Sequence, residues 1–121
     1  MSCPFCKPKR EIIVENDFAL AICDGFPISQ GHALVIPRRH VPTIFDLNDA
    51  EYFGCLDLVR EIKNTLEKRH STNAFNIGVN CGEVAGQTVD HAHIHVIPRY
   101  SGDVDDPRGG VRHIIPGKGT Y

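Results

Sequence analysis

The chain has 121 residues, the size of one compact domain, and 41% of them are apolar while 23% are charged. This balance is typical of a folded globular protein and argues against a disordered chain. Thirteen basic and fifteen acidic residues give a net charge of −2, so the chain lacks the positive field expected of a nucleic-acid-binding protein. Its apolar runs are too short to span a bilayer, and its N-terminus lacks a signal-peptide pattern. We therefore expect a cytoplasmic protein with neither a nucleic-acid nor a membrane partner.

Short apolar runs in the N-terminal third predict three β-strands. The first two, over residues 11–16 and 18–23, are rich in Ile, Val, Phe and Leu and flank a predicted tight turn at Asn16. A loop with two glycines and a proline follows, and a third strand is predicted over 32–37.

A long helix is predicted next. Asn48 has the character of an N-cap, and Glu51, three residues later, supplies the second half of a capping box. Apolar residues then recur at helical spacing as far as about His70, which predicts one buried face. The predicted members of this face are Tyr52, Leu56, Val59, Ile62 and Leu66.

Two more strands complete the pattern, over residues 73–80 and 91–98, and a glycine-containing loop over 81–87 separates them. The remaining residues, 100–121, hold glycine, proline and basic residues and are predicted to form an ordered tail outside the core. The elements together predict a single α+β domain over residues 1–121.

The five cysteines fall into two groups. An odd number without a secretion signal argues against a disulfide framework. Cys23, Cys55 and Cys81 stand singly in apolar surroundings and are predicted to be small core residues. Cys3 and Cys6 have the spacing that lets two thiolates reach one metal ion, although a redox-active or an accidental pair shares this spacing.

Three alternating histidines lie in the last predicted strand. Strand alternation places His91, His93 and His95 on one face and the intervening apolar residues on the other. Neighbouring imidazoles are then expected about 6.5–7 Å apart along the strand. This spacing suits a phosphate held between two rings and equally suits a metal ion bound by two of them, so the pattern alone leaves both kinds of site open.

Residues 91–97, His-Ala-His-Ile-His-Val-Ile, resemble the motif of the histidine-triad family, which is His-x-His-x-His followed by two apolar residues. Residues 31–37 resemble the family's upstream strand, and residues 86–89 resemble the loop that enters the triad. The resemblance covers nearly the whole chain. It implies a five-stranded antiparallel sheet with one long helix, paired in a homodimer into a ten-stranded sheet. Residues 97–99, Ile-Pro-Arg, are most similar to the fragile-histidine-triad branch and its bacterial relatives.

The resemblance also implies an activity. It indicates a nucleotide hydrolase that cleaves at the α-phosphate through a covalent nucleotidyl-histidine on His93, with His95 and His32 completing the catalytic set. An AMP-containing dinucleotide or conjugate is the implied substrate, and diadenosine polyphosphates are the leading example. The implied nucleotide-binding residues are Asp24, Asn80, Gly86, Gln87, Thr88, Val89 and His95. A purine nucleoside phosphoramidase and a nucleotide-binding signalling module with little turnover remain alternatives.

A structural zinc ion is implied as well. Family members with an N-terminal Cys-x-x-Cys often bind zinc through that pair and two histidines, which makes residues 1–10 a zinc-binding segment here. The matching positions are Cys3, Cys6, His40 and His91. The basic side chains of the tail either meet distal phosphates or are solvated, and solvation is favoured. These side chains are Arg108, Arg112, His113 and Lys118.

Overall fold

The computed structural model describes residues 3–121, so the first two residues of the predicted zinc-binding segment lie outside the described part of the chain. Five strands form one sheet in the spatial order β1-β2-β3-β5-β4, and all neighbouring strands are antiparallel. The predicted five-stranded antiparallel sheet is confirmed. The strands are β1 (Ile12–Glu15), β2 (Ala19–Cys23), β3 (Ala33–Pro37), β4 (Ala74–Gly78) and β5 (Ile94–Arg99).

One long helix, α1 (Asp49–His70), connects β3 to β4. The predicted capping box is present: the Asn48 side chain accepts a hydrogen bond from the Glu51 backbone N–H, and the Glu51 carboxylate accepts one from the Asn48 backbone N–H, both at 2.9 Å. The helix ends at His70, and the next residue, Ser71, caps it with a left-handed φ of 53°. Within residues 3–121, no helix is both long and apolar enough to cross a membrane.

The turn between β1 and β2 is also where the sequence predicts it. The Asn16 side-chain oxygen accepts hydrogen bonds from the backbone N–H groups of Phe18 and Ala19, both at 2.9 Å. Its amide donates to the carbonyl of Gly54 in α1 at 2.8 Å. Gly54 is required at this contact because a Cβ atom there would lie 2.6 Å from the Phe18 ring. One asparagine therefore closes the hairpin and joins it to the helix.

The helix packs on one face of the sheet and leaves the other open. On the helix face, small and β-branched residues of the central strands pack against Leu58, Ile62 and Leu66. The open face carries a separate apolar cluster, which is covered by Phe5 from the N-terminal segment. The members of this cluster are Leu20, Ile22, Leu34 and Ile36.

The predicted buried face of α1 is partly wrong. Leu56 is 49% exposed, whereas Cys55 and Leu58 are buried. The buried stripe is shifted around the helix towards Cys55 and Leu58, and Tyr52 and Leu56 border a shallow apolar groove beside β4. The prediction holds for Ile62 and Leu66, which are buried, and for Val59, which packs partly buried against the same core.

Three single cysteines are predicted to be core residues, and one of the three is buried. Cys55 is buried in the core, but Cys23 is exposed and Cys81 is half-buried. Cys23 is the last residue of β2, where the chain leaves the sheet for a mostly exposed loop. Its apolar neighbours in the sequence therefore do not indicate burial.

Glu51 also fixes the segment that follows β3. Its carboxylate accepts two hydrogen bonds from the guanidinium of Arg39, both at 2.8 Å. These bonds, with the one from Asn48, lower the pKa of Glu51 from 4.5 to about 2. The bidentate pair fixes the chain immediately before His40.

We expect Glu51→Gln to lower the melting temperature near neutral pH and to have little effect near pH 2. The lowered pKa means that the carboxylate stabilises the fold above pH 4.5, and that this contribution is lost as the pH falls towards 2. Thermal unfolding of wild type and variant across this range measures the effect, with the exposed helix residue Glu61→Gln as the control. A melting-temperature difference that did not vary with pH would contradict the role given to the ion pair.

Candidate functional site

Two neighbouring strands bring the predicted catalytic histidines together on the open face. His32 directly precedes β3, and His95 lies in β5 opposite Leu34 of β3. His93 directly precedes β5 and is 8% exposed. Residues that are about 60 positions apart in the chain therefore meet in one cluster.

The strand that carries the triad is shorter than predicted. β5 begins at Ile94, so His91 and His93 lie outside the regular strand, and the Ala92 N–H bonds to the Val41 carbonyl at 2.8 Å. The rings of His93 and His95 are consequently 5.2 Å apart, closer than strand spacing predicts. This one pair of rings is therefore closer together than alternate positions of a regular strand.

The hydrogen bond of His93 determines which of its ring nitrogens is free. Its Nδ1 lies 2.8 Å from the backbone carbonyl oxygen of His91, which can only accept a hydrogen bond. Nδ1 therefore carries the hydrogen, and Nε2 keeps its lone pair in the neutral ring. Phe5 packs edge-on against the same ring with centroids 4.8 Å apart. The lone pair on Nε2 of the neutral His93 ring is therefore free of this hydrogen bond.

A chain of hydrogen bonds determines the tautomers of the other two histidines. The backbone N–H of Ile28 donates to Nδ1 of His32 at 3.2 Å, so neutral His32 carries its hydrogen on Nε2. That group lies 2.9 Å from Nδ1 of His95 and donates to it. His95 therefore presents an Nε2–H donor. Burial lowers the pKa of both rings, which favours these neutral forms.

Asp24 faces this histidine pair. Its Oδ2 lies 3.4 Å from Nε2 of His32 and 3.8 Å from Nδ1 of His95. Its Oδ1 accepts the Phe26 backbone N–H at 2.8 Å. The carboxylate partly opposes the effect of burial on the pKa values of the two histidines. The sequence interpretation assigned Asp24 to the ribose alone, although the β2–β3 pairing already places it opposite His32.

The predicted phosphate loop is shaped by Gln87. Its side-chain oxygen accepts the Gly82 N–H at 2.8 Å, and its amide donates to the carbonyls of Pro42 at 2.6 Å and Val89 at 3.0 Å. Its side chain is thus occupied within the loop. Asn80, Gly86 and Thr88 are exposed and Val89 is half-buried, and no side-chain hydrogen bond within residues 3–121 joins these residues to the triad. A contact with nucleotide stays a prediction for all five.

The four predicted zinc ligands form one cluster, with their donor atoms within 4.8 Å of one another. Cys3 Sγ lies 3.3 Å from Nδ1 of His91, and Cys6 Sγ lies 3.1 Å from Nδ1 of His40 and 3.6 Å from that of His91. Tetrahedral zinc, with Zn–S of about 2.3 Å and Zn–N of about 2.0–2.1 Å, places S and N about 3.5 Å apart. The donor set and its spacing fit that ion.

A further bond supports this fit. Nε2 of His91 lies 2.8 Å from the carbonyl oxygen of Pro37, so that nitrogen carries the hydrogen and the lone pair of Nδ1 is available to a metal ion. The ring is fully buried. His91 therefore differs from His93, whose free nitrogen is Nε2.

Sequence reasoning missed Phe5. It lies between Cys3 and Cys6, covers the apolar cluster of the open face and contacts the ring of His93. The only signal in the sequence is an aromatic residue between two candidate metal ligands. That signal does not indicate which part of the fold the ring meets.

Comparison with known proteins gives consistent matches. Residues 7–102 match the HIT domain family. The chain is 45% identical over 96 residues to the asymmetrical bis(5′-nucleosyl)-tetraphosphatase of Schizosaccharomyces pombe, covering 79% of this chain and 53% of that protein. It is 38% identical over 104 residues to the adenosine 5′-monophosphoramidase hnt1 of the same organism, covering 82% and 75%.

A solved structure is similar over most of its length. The zinc-bound histidine triad family protein of Mycobacterium smegmatis superposes with a TM-score of 0.76 and 34% identity, covering 85% of this chain and 78% of that one. The chain spans 22% to 54% of the length of the first three curated relatives that it matches.

Proposed function

The chain belongs to the HIT domain family, and from this membership and the tautomers of its histidines we propose that it is a nucleotide hydrolase acting at the α-phosphate. The observation that carries the proposal is that the lone pair of one histidine, His93, lies beside the N–H donor of another, His95. In the neutral ring of His93 the lone pair is on Nε2, while the adjacent ring of His95 presents an N–H. A nucleophile beside a hydrogen-bond donor is what phosphoryl transfer requires.

In the proposed first step, Nε2 of His93 attacks the α-phosphorus. A P–N bond forms, the bond from phosphorus to the bridging oxygen breaks, and that oxygen leaves with the bond electrons. His95 donates its Nε2–H to the phosphate as negative charge develops there. Nδ1 of His95 accepts a hydrogen bond from His32, and Asp24 faces His32. The positive charge on the nucleotidylated ring of His93 is stabilised by the His91 carbonyl, which accepts the hydrogen bond from Nδ1.

In the proposed second step, water attacks the nucleotidyl-histidine. A P–O bond forms, the P–N bond breaks, and the electron pair returns to Nε2 of His93 while the proton of the water passes to solvent. The nucleoside monophosphate is released, and the enzyme regains its starting tautomer. The proposed binding groups are the Asp24 carboxylate for the ribose, Asn80 beside the leaving group, and residues 86–89 for the phosphates.

A dinucleoside polyphosphate is the proposed substrate, because the tetraphosphatase relative acts on such compounds by name and the match to it is 45% identical. A purine nucleoside phosphoramidase is the second candidate, supported by the 38% match to hnt1. Both reactions use the same nucleophile and differ in the group that leaves. A binding module with little turnover is the remaining alternative.

We expect the purified protein to hydrolyse diadenosine tetraphosphate with a higher kcat/KM than adenosine 5′-phosphoramidate. The measurement is a steady-state assay with both substrates, and denaturation in alkaline detergent with labelled nucleotide traps the covalent adduct, whose P–N bond is stable to alkali. A higher kcat/KM for the phosphoramidate would favour the second candidate. Tight nucleotide binding without release of product from either compound would establish a binding module.

We also propose that Cys3, Cys6, His40 and His91 hold a structural zinc ion. The distances among their donor atoms and the Pro37 bond to His91 support this assignment. With four protein ligands the ion has no open position for substrate, so its contribution is to folding. It joins the N-terminal segment to the chain before β5 and so holds Phe5 against His93.

A homodimer with a ten-stranded sheet is a further part of the proposal. Within the described chain β4 pairs with β5 alone, so the outer edge of β4 is open. Beside it lies the apolar groove of α1, where Leu56 and Ile77 are 49% and 42% exposed. An open strand edge next to an apolar groove supports pairing of two copies through β4.

A further inference from the structure

A cavity of about 760 Å³ lies between the N-terminal segment and β2, on the open face of the sheet. Ile22, a member of the apolar cluster on that face, is one of its lining residues. The others are Cys3, Pro4, Lys7, Lys9 and Arg10. The mechanism proposed above uses none of the three basic side chains.

Arg10 lies next to the proposed ribose-binding residue. Ile12 of β1 pairs with Ile22 of β2. Continuing this antiparallel register by two residues on each strand places Arg10 opposite Asp24. The guanidinium is packed against Gly25, because a Cβ atom on that glycine would be 2.5 Å from Nη2 of Arg10. A cation therefore lies beside the position proposed for the ribose.

The order of the strands determines where the base of a bound nucleotide lies. In the proposed complex the α-phosphate is at His93 and His95, beside β5, and the ribose is at Asp24, directly after β2. β3 separates these two strands, and β1 lies beyond β2. A nucleotide that crosses the sheet in this direction extends its base towards Arg10. Asn80, proposed to lie beside the leaving group, follows β4 on the opposite side of β5.

The basic side chains of the cavity make no polar contact with the rest of the protein. Within residues 3–121, Lys7, Lys9 and Arg10 form neither an ion pair nor a side-chain hydrogen bond, and no carboxylate lines the cavity. The basic side chains that do pair with carboxylates lie elsewhere in the fold and are Arg38, Arg39, Lys63, Arg99 and Arg108. The donors of Arg10 are therefore available to a ligand.

A wall of this kind discriminates between the two purine bases. Lysine and arginine side chains donate hydrogen bonds and accept none. Guanine presents two adjacent acceptors, O6 and N7, which one guanidinium binds with two hydrogen bonds, whereas adenine presents an amino donor beside N7. Basic side chains therefore pair with this edge of guanine and leave the amino group of adenine without an acceptor.

We propose that Arg10 binds the base of the nucleotide that becomes attached to His93 and makes the chain prefer guanosine to adenosine at that position. Lys7 and Lys9 add positive potential beside the acceptor edge of the base. The inference rests on the proposed function, because it takes the α-phosphate to be at His93 and the ribose at Asp24. It concerns the retained half of the substrate and is independent of what leaves.

The test uses one mixed substrate, adenosine guanosine tetraphosphate. Attack at the guanosine α-phosphate gives GMP and ATP, whereas attack at the adenosine α-phosphate gives AMP and GTP. Wild-type protein is expected to release GMP over AMP by about fivefold or more, the discrimination that one bidentate contact with a base typically gives. Because the leaving base also changes in this comparison, the dissociation constants of GMP and AMP are measured as well, and GMP should bind more tightly by a similar factor.

Two variants address Arg10 itself. Arg10→Met removes the donors and keeps the length of the side chain. Gly25→Ala keeps the charge but displaces the guanidinium from its position. Both are expected to bring the ratio of GMP to AMP close to one. The matched control is Arg60→Met, an exposed arginine of α1, which should keep the wild-type ratio.

Arg10 is exposed, so its variant decides the test if Gly25→Ala fails to fold. A wild-type ratio near one, or a preference for GMP that Arg10→Met leaves unchanged, would overturn the inference while the proposed function stands. If the mixed substrate is not hydrolysed, the proposed function fails, and the dissociation constants of GMP and AMP still decide the role of Arg10. A preference for GMP that disappears in Arg10→Met and persists in Arg60→Met supports the inference.

Discussion

His93→Ala should reduce turnover of nucleotide substrates by more than about 100-fold and leave the protein folded, because loss of a covalent nucleophile commonly costs far more than this. In its neutral form His93 carries a lone pair on Nε2, whereas His95 presents an N–H and Nδ1 of His91 lies beside the two cysteines. The measurement is kcat with diadenosine tetraphosphate, together with circular dichroism and the melting temperature.

The matched control is His70→Ala, at the C-terminal end of α1, which should keep wild-type kcat. After denaturation in alkaline detergent, His93→Ala should also lack the labelled covalent adduct that wild-type protein shows. Residual activity above about one per cent would show that another group attacks the phosphorus. An unfolded variant would instead call for His93→Asn, which retains a polar side chain towards the His91 carbonyl.

Replacing Cys3 and Cys6 by serine should remove zinc and lower the melting temperature, while kcat measured below that temperature should fall only modestly. The wild-type protein is expected to contain about one zinc ion per chain, as a closed four-ligand site requires. Each single variant should behave almost like the double variant, because three remaining ligands no longer form a closed site. Metal analysis, thermal unfolding and kcat together measure these effects.

Cys23→Ser is the control for this series, since Cys23 is exposed and lies outside the four-ligand cluster. Zinc well below one per chain in wild-type protein purified without chelators would refute the structural site. A folded double variant with no catalysis would instead place the metal in the chemistry. Either result would leave the assignment of His93 to its own test.

Features that depend on a few neighbouring residues are predicted correctly from the sequence. Asn48 and Glu51 form the predicted capping box, and Asn16 forms the predicted turn, because both depend on side-chain bonds to nearby backbone. Such features need no knowledge of the rest of the fold.

Features that depend on distant packing were not predictable in the same way. The start of β5 depends on the bond from Ala92 to Val41, and the exposure of Leu56 depends on how α1 is rotated over the sheet. The contact of Phe5 with His93 depends on where the N-terminal segment crosses the open face. Each is decided by a part of the chain that local periodicity does not describe.

The position of β5 in the sheet has a consequence for the order of folding. It is the last strand in the sequence, yet it lies between β3 and β4, two strands made earlier. The contact between His32 and His95 closes a loop of 63 residues, and contacts of such long range form late because loop closure must come first. An intermediate containing the hairpins β1-β2-β3 and a formed α1 would have native-like helix content and no active site. During refolding, catalysis should therefore return with the slowest phase, after most of the helical signal has already been regained.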